Sequence, residues 1–132
     1  MNFEDLVNNV SARPGWAGAT IATDTDTTST IVIDAQGFES VMYTVYSGTR
    51  TDGTYVLKIL ETDNSDGTTG AAEVGSYQAQ NSVTASNVVK KVGAKLTKRY
   101  CTLRLTSTGT TTGCVFKGAV ALLGGARNNP VA

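Results

Sequence analysis

The chain is predicted to be an all-β protein, an antiparallel β-sandwich or jelly-roll-like domain of about eight short strands. Short runs of β-branched and alternating residues recur from position 16 onwards, and Gly, Asn, Asp and Ser separate them as turn-forming residues do. Charged residues make up only 17% of the chain, against about 25% in a typical domain. Thr and Ser take their place, as is common in sheets. A barrel is the less favoured alternative.

The alternation within a run predicts which side chains share one face of the strand. In Phe38–Tyr46, the residues Val41, Tyr43 and Val45 are expected on one face, opposite Met42 and its even-numbered neighbours. The candidate strands are Trp16–Thr23, Thr30–Asp34, Phe38–Tyr46, Thr54–Thr62, Ala71–Tyr77, Asn87–Leu96, Tyr100–Thr106 and Cys114–Leu123.

The N-terminal residues 1–15 are predicted to form a short helical arm that precedes the β-domain at 16–124. The apolar residues recur at helical spacing, acidic residues lie near the start, and Pro14 with Gly15 ends the pattern. A helix this short needs a surface to pack on. That surface is either its own domain or a neighbouring subunit. The candidate partner-binding residues here are Phe3, Leu6, Val7 and Val10.

The C-terminal residues 125–132 are predicted to form an irregular tail. Such a segment is ordered only where something holds it. It either remains free or lies along a partner, and Arg127 is the candidate contact.

A stretch rich in hydroxyl groups, Thr106–Thr112, lies between two strand-like runs and predicts a hairpin bend. In that hairpin Cys101 and Cys114 share the inward face but are offset by about four residues, or about 13 Å along a strand. A disulfide requires Cα atoms within about 7 Å. The sequence therefore predicts two free, buried thiols.

The composition excludes several classes of chemistry. The chain has no His, which removes Ser-His-Asp and Cys-His catalysis and the usual zinc ligand sets. No phosphate-binding glycine loop or dinucleotide motif occurs. Spacing alone does not exclude a Ser-Lys pair or a carboxylate dyad, but no local motif indicates one. No catalytic residue, cofactor or metal site is predicted, and an enzyme is the least favoured function.

The net charge and the hydropathy of the chain indicate whether nucleic acid or a membrane is an expected partner. The 11 basic residues balance the 11 acidic ones, so a nucleic-acid partner is not expected. Apolar runs such as Ala119–Leu123 are too short to span a bilayer, and no secretory signal is visible. Synthesis in a cytosol, without a membrane partner, is the expectation.

One segment partly matches a calcium-binding loop. In Thr62–Glu73 the third, fifth, sixth and twelfth positions fit, through Asn64, Asp66, Gly67 and Glu73. The first position is a Thr, and strands instead of helices flank the loop. The favoured interpretation is a hairpin loop whose Asp and Asn bond their own backbone.

Two segments, 33–67 and 88–131, resemble small structural proteins of tailed-bacteriophage and prophage virions. The matching motifs are Gly37–Ser40, Thr51–Tyr55, Lys98–Tyr100, Thr112–Gly113 and Ala119–Gly124. The chain departs from the family pattern at Gly125–Arg127, where Pro-Arg is more usual.

The resemblance implies a head decoration (cement) protein, often a homotrimer, that is seated on the major capsid protein at the virion surface after synthesis in the host cytoplasm. Such a protein stabilises a shell because it binds the assembled state. Two alternatives remain open: a tail, connector or fibre-associated protein, and a glycan-binding module on the virion.

Overall fold

The computed structural model describes residues 9–75 and 80–125, and this part of the chain forms eleven β-strands. They are β1 (Ser11–Trp16), β2 (Ala19–Ile21), β3 (Asp26–Thr28), β4 (Ile33–Asp34), β5 (Ser40–Arg50), β6 (Thr54–Thr62), β7 (Ala72–Glu73), β8 (Gln80–Val83), β9 (Val89–Lys95), β10 (Tyr100–Thr108) and β11 (Cys114–Gly124).

The strands form two antiparallel sheets. Sheet I has the order β1-β11-β5-β9, and β2 continues the edge of β1 along β11. Sheet II has the order β3-β10-β6-β7, with β4 beside β10 and β8 beside β6. The predicted all-β class is thus confirmed, as two antiparallel sheets.

One hydrophobic core joins the inward faces of the two sheets. The ring of Tyr55 from sheet II meets Phe116 of sheet I edge-on, with 5.2 Å between centroids, and Trp16 packs against the same Phe116 at 5.4 Å. The hydroxyl of Tyr43 lies 3.5 Å from the Sγ of Cys101 across the core. Aromatic pairs at these distances add to the stability gained from burial.

The predicted alternation agrees with the observed burial in the long strands. Val41, Tyr43 and Val45 of β5 are buried, whereas Met42 is half-buried and Tyr46 is exposed. The same holds for β6, where every second side chain from Tyr55 to Ile59 is fully enclosed.

The predicted β10–β11 hairpin is wrong. β10 pairs with strands of sheet II and β11 with strands of sheet I, so the bend between them crosses from one sheet to the other. Cys101 and Cys114 therefore come from opposite sheets. Both thiols are buried and free, as predicted. The prediction relied on a four-residue offset within a hairpin, and that hairpin does not exist.

The first strand begins before residue 16, where the β-domain was predicted to start: β1 begins at Ser11 and pairs with β11. Pro14 is tolerated because β1 is an edge strand, where a missing N–H breaks no ladder bond. Gly15 lies at a register shift, and a Cβ there would come within 2.9 Å of the Tyr43 ring. The helical arm is not seen. Its residues 1–8 lie outside the described part.

Eleven strands replace the eight that were predicted because short pieces extend both sheets. β3 lies in a Thr-Asp segment with no apolar alternation, and β8 lies in a segment rich in Asn and Gln. Both strands are specified by their neighbours in sheet II. β3 pairs with Arg104–Thr106 of β10, and β8 pairs with Tyr55–Lys58 of β6.

Replacing Gly113 by Ala is expected to destabilise the fold far more than replacing Gly109. Both glycines have positive φ, at +109° and +69°. A Cβ on Gly113 would lie only 1.9 Å from the carbonyl oxygen of Ile21, whereas Gly109 faces open space. We expect a loss of about 1–2 kcal/mol for Gly109→Ala from backbone conformation alone. Backbone strain and collision together should cost Gly113→Ala at least about 3 kcal/mol. Urea unfolding measures both, and equal losses would contradict the cross-sheet bend.

The two thiols are expected to be protected in the folded protein and free in the unfolded one. Burial raises the pKa of Cys101 to about 11, and it also raises the pKa of Cys114. Since the thiolate is the reactive form, both should react slowly with a water-soluble disulfide reagent. Unfolding in urea without reductant should release two equivalents of thiol, and fewer than two would show that a disulfide had formed.

Candidate functional site

The bend Gly109–Gly113 is held by two carboxylates from other parts of the chain. The amides of Gly109 and Thr110 donate to Asp24 at 3.1 and 2.7 Å. The next three amides donate to Asp52 at 2.8 to 3.2 Å, the shortest being that of Gly113. Five successive N–H groups thus find acceptors where the chain changes sheet.

These contacts favour the ionised carboxylates. The hydroxyl of Thr111 and the amide of Gly113 hold the pKa of Asp52 at about 2, and the amide of Thr110 lowers the pKa of Asp24. Hydrogen bonds to the charged form lower a carboxyl pKa in this way. The bend is accordingly stabilised at neutral pH.

The stretch Thr106–Thr112 is therefore used for structure. Ser107, which is buried, donates from its hydroxyl to the carbonyl of Thr23 at 2.8 Å and accepts from the amide of Thr25 at the same distance. These bonds attach the β2–β3 connection to β10. Of the hydroxyls that made this stretch a candidate site, that of Ser107 is used in these bonds and that of Thr111 donates to Asp52.

The calcium-like loop after β6 is also a structural element, as predicted. The Oδ1 of Asp66 accepts the amides of Thr68 and Thr69 at 2.9 Å each, and Asn64 donates to the carbonyl of Thr69. Glu73 pairs with Lys58 at 3.2 Å. β6 and β7 form the expected hairpin. Among residues 9–75 and 80–125 no group of three potential metal ligands is found.

The outer face of sheet II is charged and partly covered. The loop after β6 folds onto it, and Gly67 is so close to Val32 and Thr102 that a Cβ would collide with both. Beside this loop, Glu73 lies between Lys58 and Arg104, 3.7 Å from the latter. Little apolar surface remains here for a partner.

No described segment covers the outer face of sheet I, and the centre of this face is apolar. The pairing registers place every second residue of four neighbouring strands on this side. Two of these positions, Gly93 and Gly118, carry no side chain. Tyr46, Val89 and Val120 are 48%, 60% and 48% exposed, and they lie close together. We call this surface the sheet I outer face; its residues are Ala12, Pro14, Met42, Thr44, Tyr46, Val89, Lys91, Gly93, Lys95, Gly118, Val120 and Leu122.

Sheet I also separates charge. None of its strands contains Asp or Glu, but together they carry Arg13, Arg50, Lys90, Lys91, Lys95 and Lys117. The acidic strand residues belong to sheet II. Of these residues, Lys91 and Lys95 lie on the sheet I outer face and Lys117 lies beside it, so the charges at this apolar surface are basic and suit an acidic, apolar partner surface.

Of the predicted partner-binding residues, only Val10 lies in the described part. It is half-buried at one corner of the sheet I outer face, next to Ser40, Met42, Leu122 and Gly124. Phe3, Leu6, Val7 and Arg127 lie outside the described residues. Val10 thus connects the N-terminal segment to the sheet I outer face.

The sheet I outer face was not predicted from the sequence, although part of its signal is readable there. The run Ser40–Arg50 and the run Cys114–Gly124 both lack acidic residues. What the sequence does not show is that these runs are neighbours. A single alternating strand looks the same whether its outer face is covered or bare.

The basic residues between Lys90 and Arg99 lie in different surroundings. Lys91 and Lys95 point outward on sheet I, as expected for a solvated strand face. Arg99 forms a two-bond ion pair with Asp34 at 2.8 and 2.9 Å, which holds the pKa of that carboxyl at about 2. This pair links the β4 and β10 ends and is not free for a ligand.

No protein-family model matches the chain, and no curated protein matches it either. None of the described segments forms an apolar helix of the length that a bilayer crossing requires.

Replacing Asp52 by Asn is expected to lower stability at neutral pH and to flatten its dependence on acid. Because the folded pKa of about 2 lies below the unfolded value, the carboxylate stabilises the fold above about pH 4. That contribution is lost as the pH falls towards 2. The urea midpoint of the wild type should fall over this range more than that of Asp52→Asn.

The matched control is Asp63→Asn, which removes an exposed carboxylate outside the bend. It should leave the wild-type pH profile nearly unchanged. Identical profiles for the Asp52 and Asp63 variants would refute the role of Asp52 as an acceptor for the bend.

Proposed function

We propose that the chain is a non-enzymatic virion structural protein of a tailed bacteriophage that decorates the head. In this proposal it binds the assembled lattice of the major capsid protein, stabilises the shell and acts as a homo-oligomer, with a trimer favoured. The proposal needs no cofactor, metal, nucleic acid or membrane. The family resemblance of segments 33–67 and 88–131 supports it.

The observation that carries the proposal is the sheet I outer face. It combines exposed apolar side chains with basic ones and with no acidic residue in any strand of the sheet. Contiguous apolar surface on one side of a small domain is typical of proteins that assemble. The charge separation gives that surface a preference for acidic partners.

We further infer that the two sheets form a jelly-roll-like sandwich. The chain changes sheet at six connections, and jelly rolls alternate between two sheets in the same manner. The crossings are β2–β3, β4–β5, β5–β6, β8–β9, β9–β10 and β10–β11.

The glycan-binding alternative finds less support. Sugar recognition by stacking uses exposed aromatic rings. Tyr46 is the aromatic member of the exposed apolar group on sheet I, whereas Trp16 is buried against Phe116. A single ring among the described residues of that face is a poor platform for a sugar.

The direct test is the copy number of the chain in purified virions. A head decoration protein should be present at a level comparable with the major capsid protein. A tail, connector or fibre-associated protein should be present in few copies. Quantitative mass spectrometry of virions and of tail-free heads measures both, and absence from the heads would refute decoration.

A second measurement tests shell stabilisation. Heads that lack the chain should release DNA at a lower temperature, and the purified protein should restore the wild-type release temperature when added back. Because stabilisation requires preferential binding to the assembled state, the protein should bind heads but not free capsid protein. Equal binding to both would contradict the proposal.

A further inference from the structure

We propose that the sheet I outer face receives the N-terminal segment 1–8 of a second copy of this chain. This inference rests on the homo-oligomer in the proposed function and names the contact that forms it. The occupant is identified from the chemistry of the face, the chemistry of the segment and the place where the segment begins.

The chemistry of the face calls for an occupant with both apolar and acidic side chains. Val89 and Val120 form an exposed apolar centre. Lys91 and Lys95 border it on β9, and Lys117 borders it on β11. None of these lysines forms an ion pair with another described residue. Two such faces packed directly against each other would bring lysines together without acids to balance them.

The N-terminal segment has the required composition. Residues 1–8 read MNFEDLVN, with apolar Phe3, Leu6 and Val7 and acidic Glu4 and Asp5. The apolar side chains match the centre of the face, and the two carboxylates match the lysines at its border. Charge complementarity of this kind sets partner choice and orientation.

The length and starting point of the segment also fit. Val10 lies at a corner of the sheet I outer face of its own copy, beside Met42 and Leu122, so the segment leaves the domain at the edge of this surface. From the row of Ser40 to the row of Tyr46 the face measures about 20 Å at the rise of a strand. Eight residues span about 12 Å as a helix and at most about 28 Å when extended. The segment is therefore long enough to cross most of the face.

The direction of β1 favours a neighbouring copy over the same chain. β1 starts at this corner, with Ser11 opposite Leu123, and runs along the sheet from there. To lie on its own face, the preceding segment would have to reverse direction sharply at Asn9 and Val10. No reversal is needed to reach the face of a second copy that is placed beyond the corner.

Charge reversal tests the contact. The first variant carries Glu4→Lys and Asp5→Lys; the second carries Lys91→Glu and Lys95→Glu. Each variant alone should associate with itself at least about tenfold more weakly than the wild type, because like charges then meet. A fluorescently labelled sample of the first, titrated with the second, should bind with nearly the wild-type dissociation constant.

Rescue in the mixture shows that the segment of one copy binds the face of another. In the mixed pair, the segment that now carries lysines meets the face that now carries glutamates. Lys98→Glu, in the turn after β9, is the control and should associate like the wild type. Circular dichroism and urea unfolding check that all variants fold. If the mixed pair binds as weakly as either variant alone, the proposal is overturned.

Two further outcomes separate this inference from the proposed function. A wild-type chain that sedimentation equilibrium shows to be monomeric at all concentrations overturns the inference. If Lys91→Glu with Lys95→Glu then abolishes binding to heads, the face belongs to the capsid protein. If the mixed pair is rescued but the chain is absent from heads, the contact stands and head decoration fails.

Discussion

The burial of one hydrophobic core between two antiparallel sheets is the constraint on which the rest of the structure depends. Each sheet gives one face to the core, where Tyr55 meets Phe116 across the two sheets, and leaves the other face outside. The two outer faces differ in what covers them. Sheet II covers part of its own with the loop around Gly67 and with paired charges. Sheet I leaves its outer face apolar and unpaired within the described residues, so the core determines which surface is available for assembly.

The sequence predicted the strands that bury one face and missed the relations between them. Alternation separated the two faces of β5 and β6 because each strand obeys a local period of two. The partner of a strand is not a local property. β10 and β11 looked like a hairpin since a Gly- and Thr-rich bend joins two alternating runs, but Asp24 and Asp52 hold that bend in a form that crosses between sheets. Pro14 looked like a stop signal and is instead an edge-strand residue.

Separation of charge connects the fold with the proposed function. A balanced total of 11 basic and 11 acidic residues predicts a protein without strong electrostatic preferences. The topology changes that conclusion, because it assembles acid-free strands from distant parts of the chain into one sheet. Two of the acidic residues, Glu4 and Asp5, belong to the N-terminal segment. This distribution of charge is what the proposed assembly with copies of itself and with a shell would use.

The central claim, that the sheet I outer face is an assembly surface, is tested most directly by hydroxyl-radical footprinting of the wild-type protein over a dilution series. Tyr46 is nearly half exposed on this face, and Tyr100 of sheet II serves as the reference. If the face is used in assembly, oxidation of Tyr46 should be suppressed at concentrations where the chain associates and should recover on dilution, while Tyr100 stays constant. Equal oxidation of Tyr46 in the associated and dissociated protein would contradict the claim.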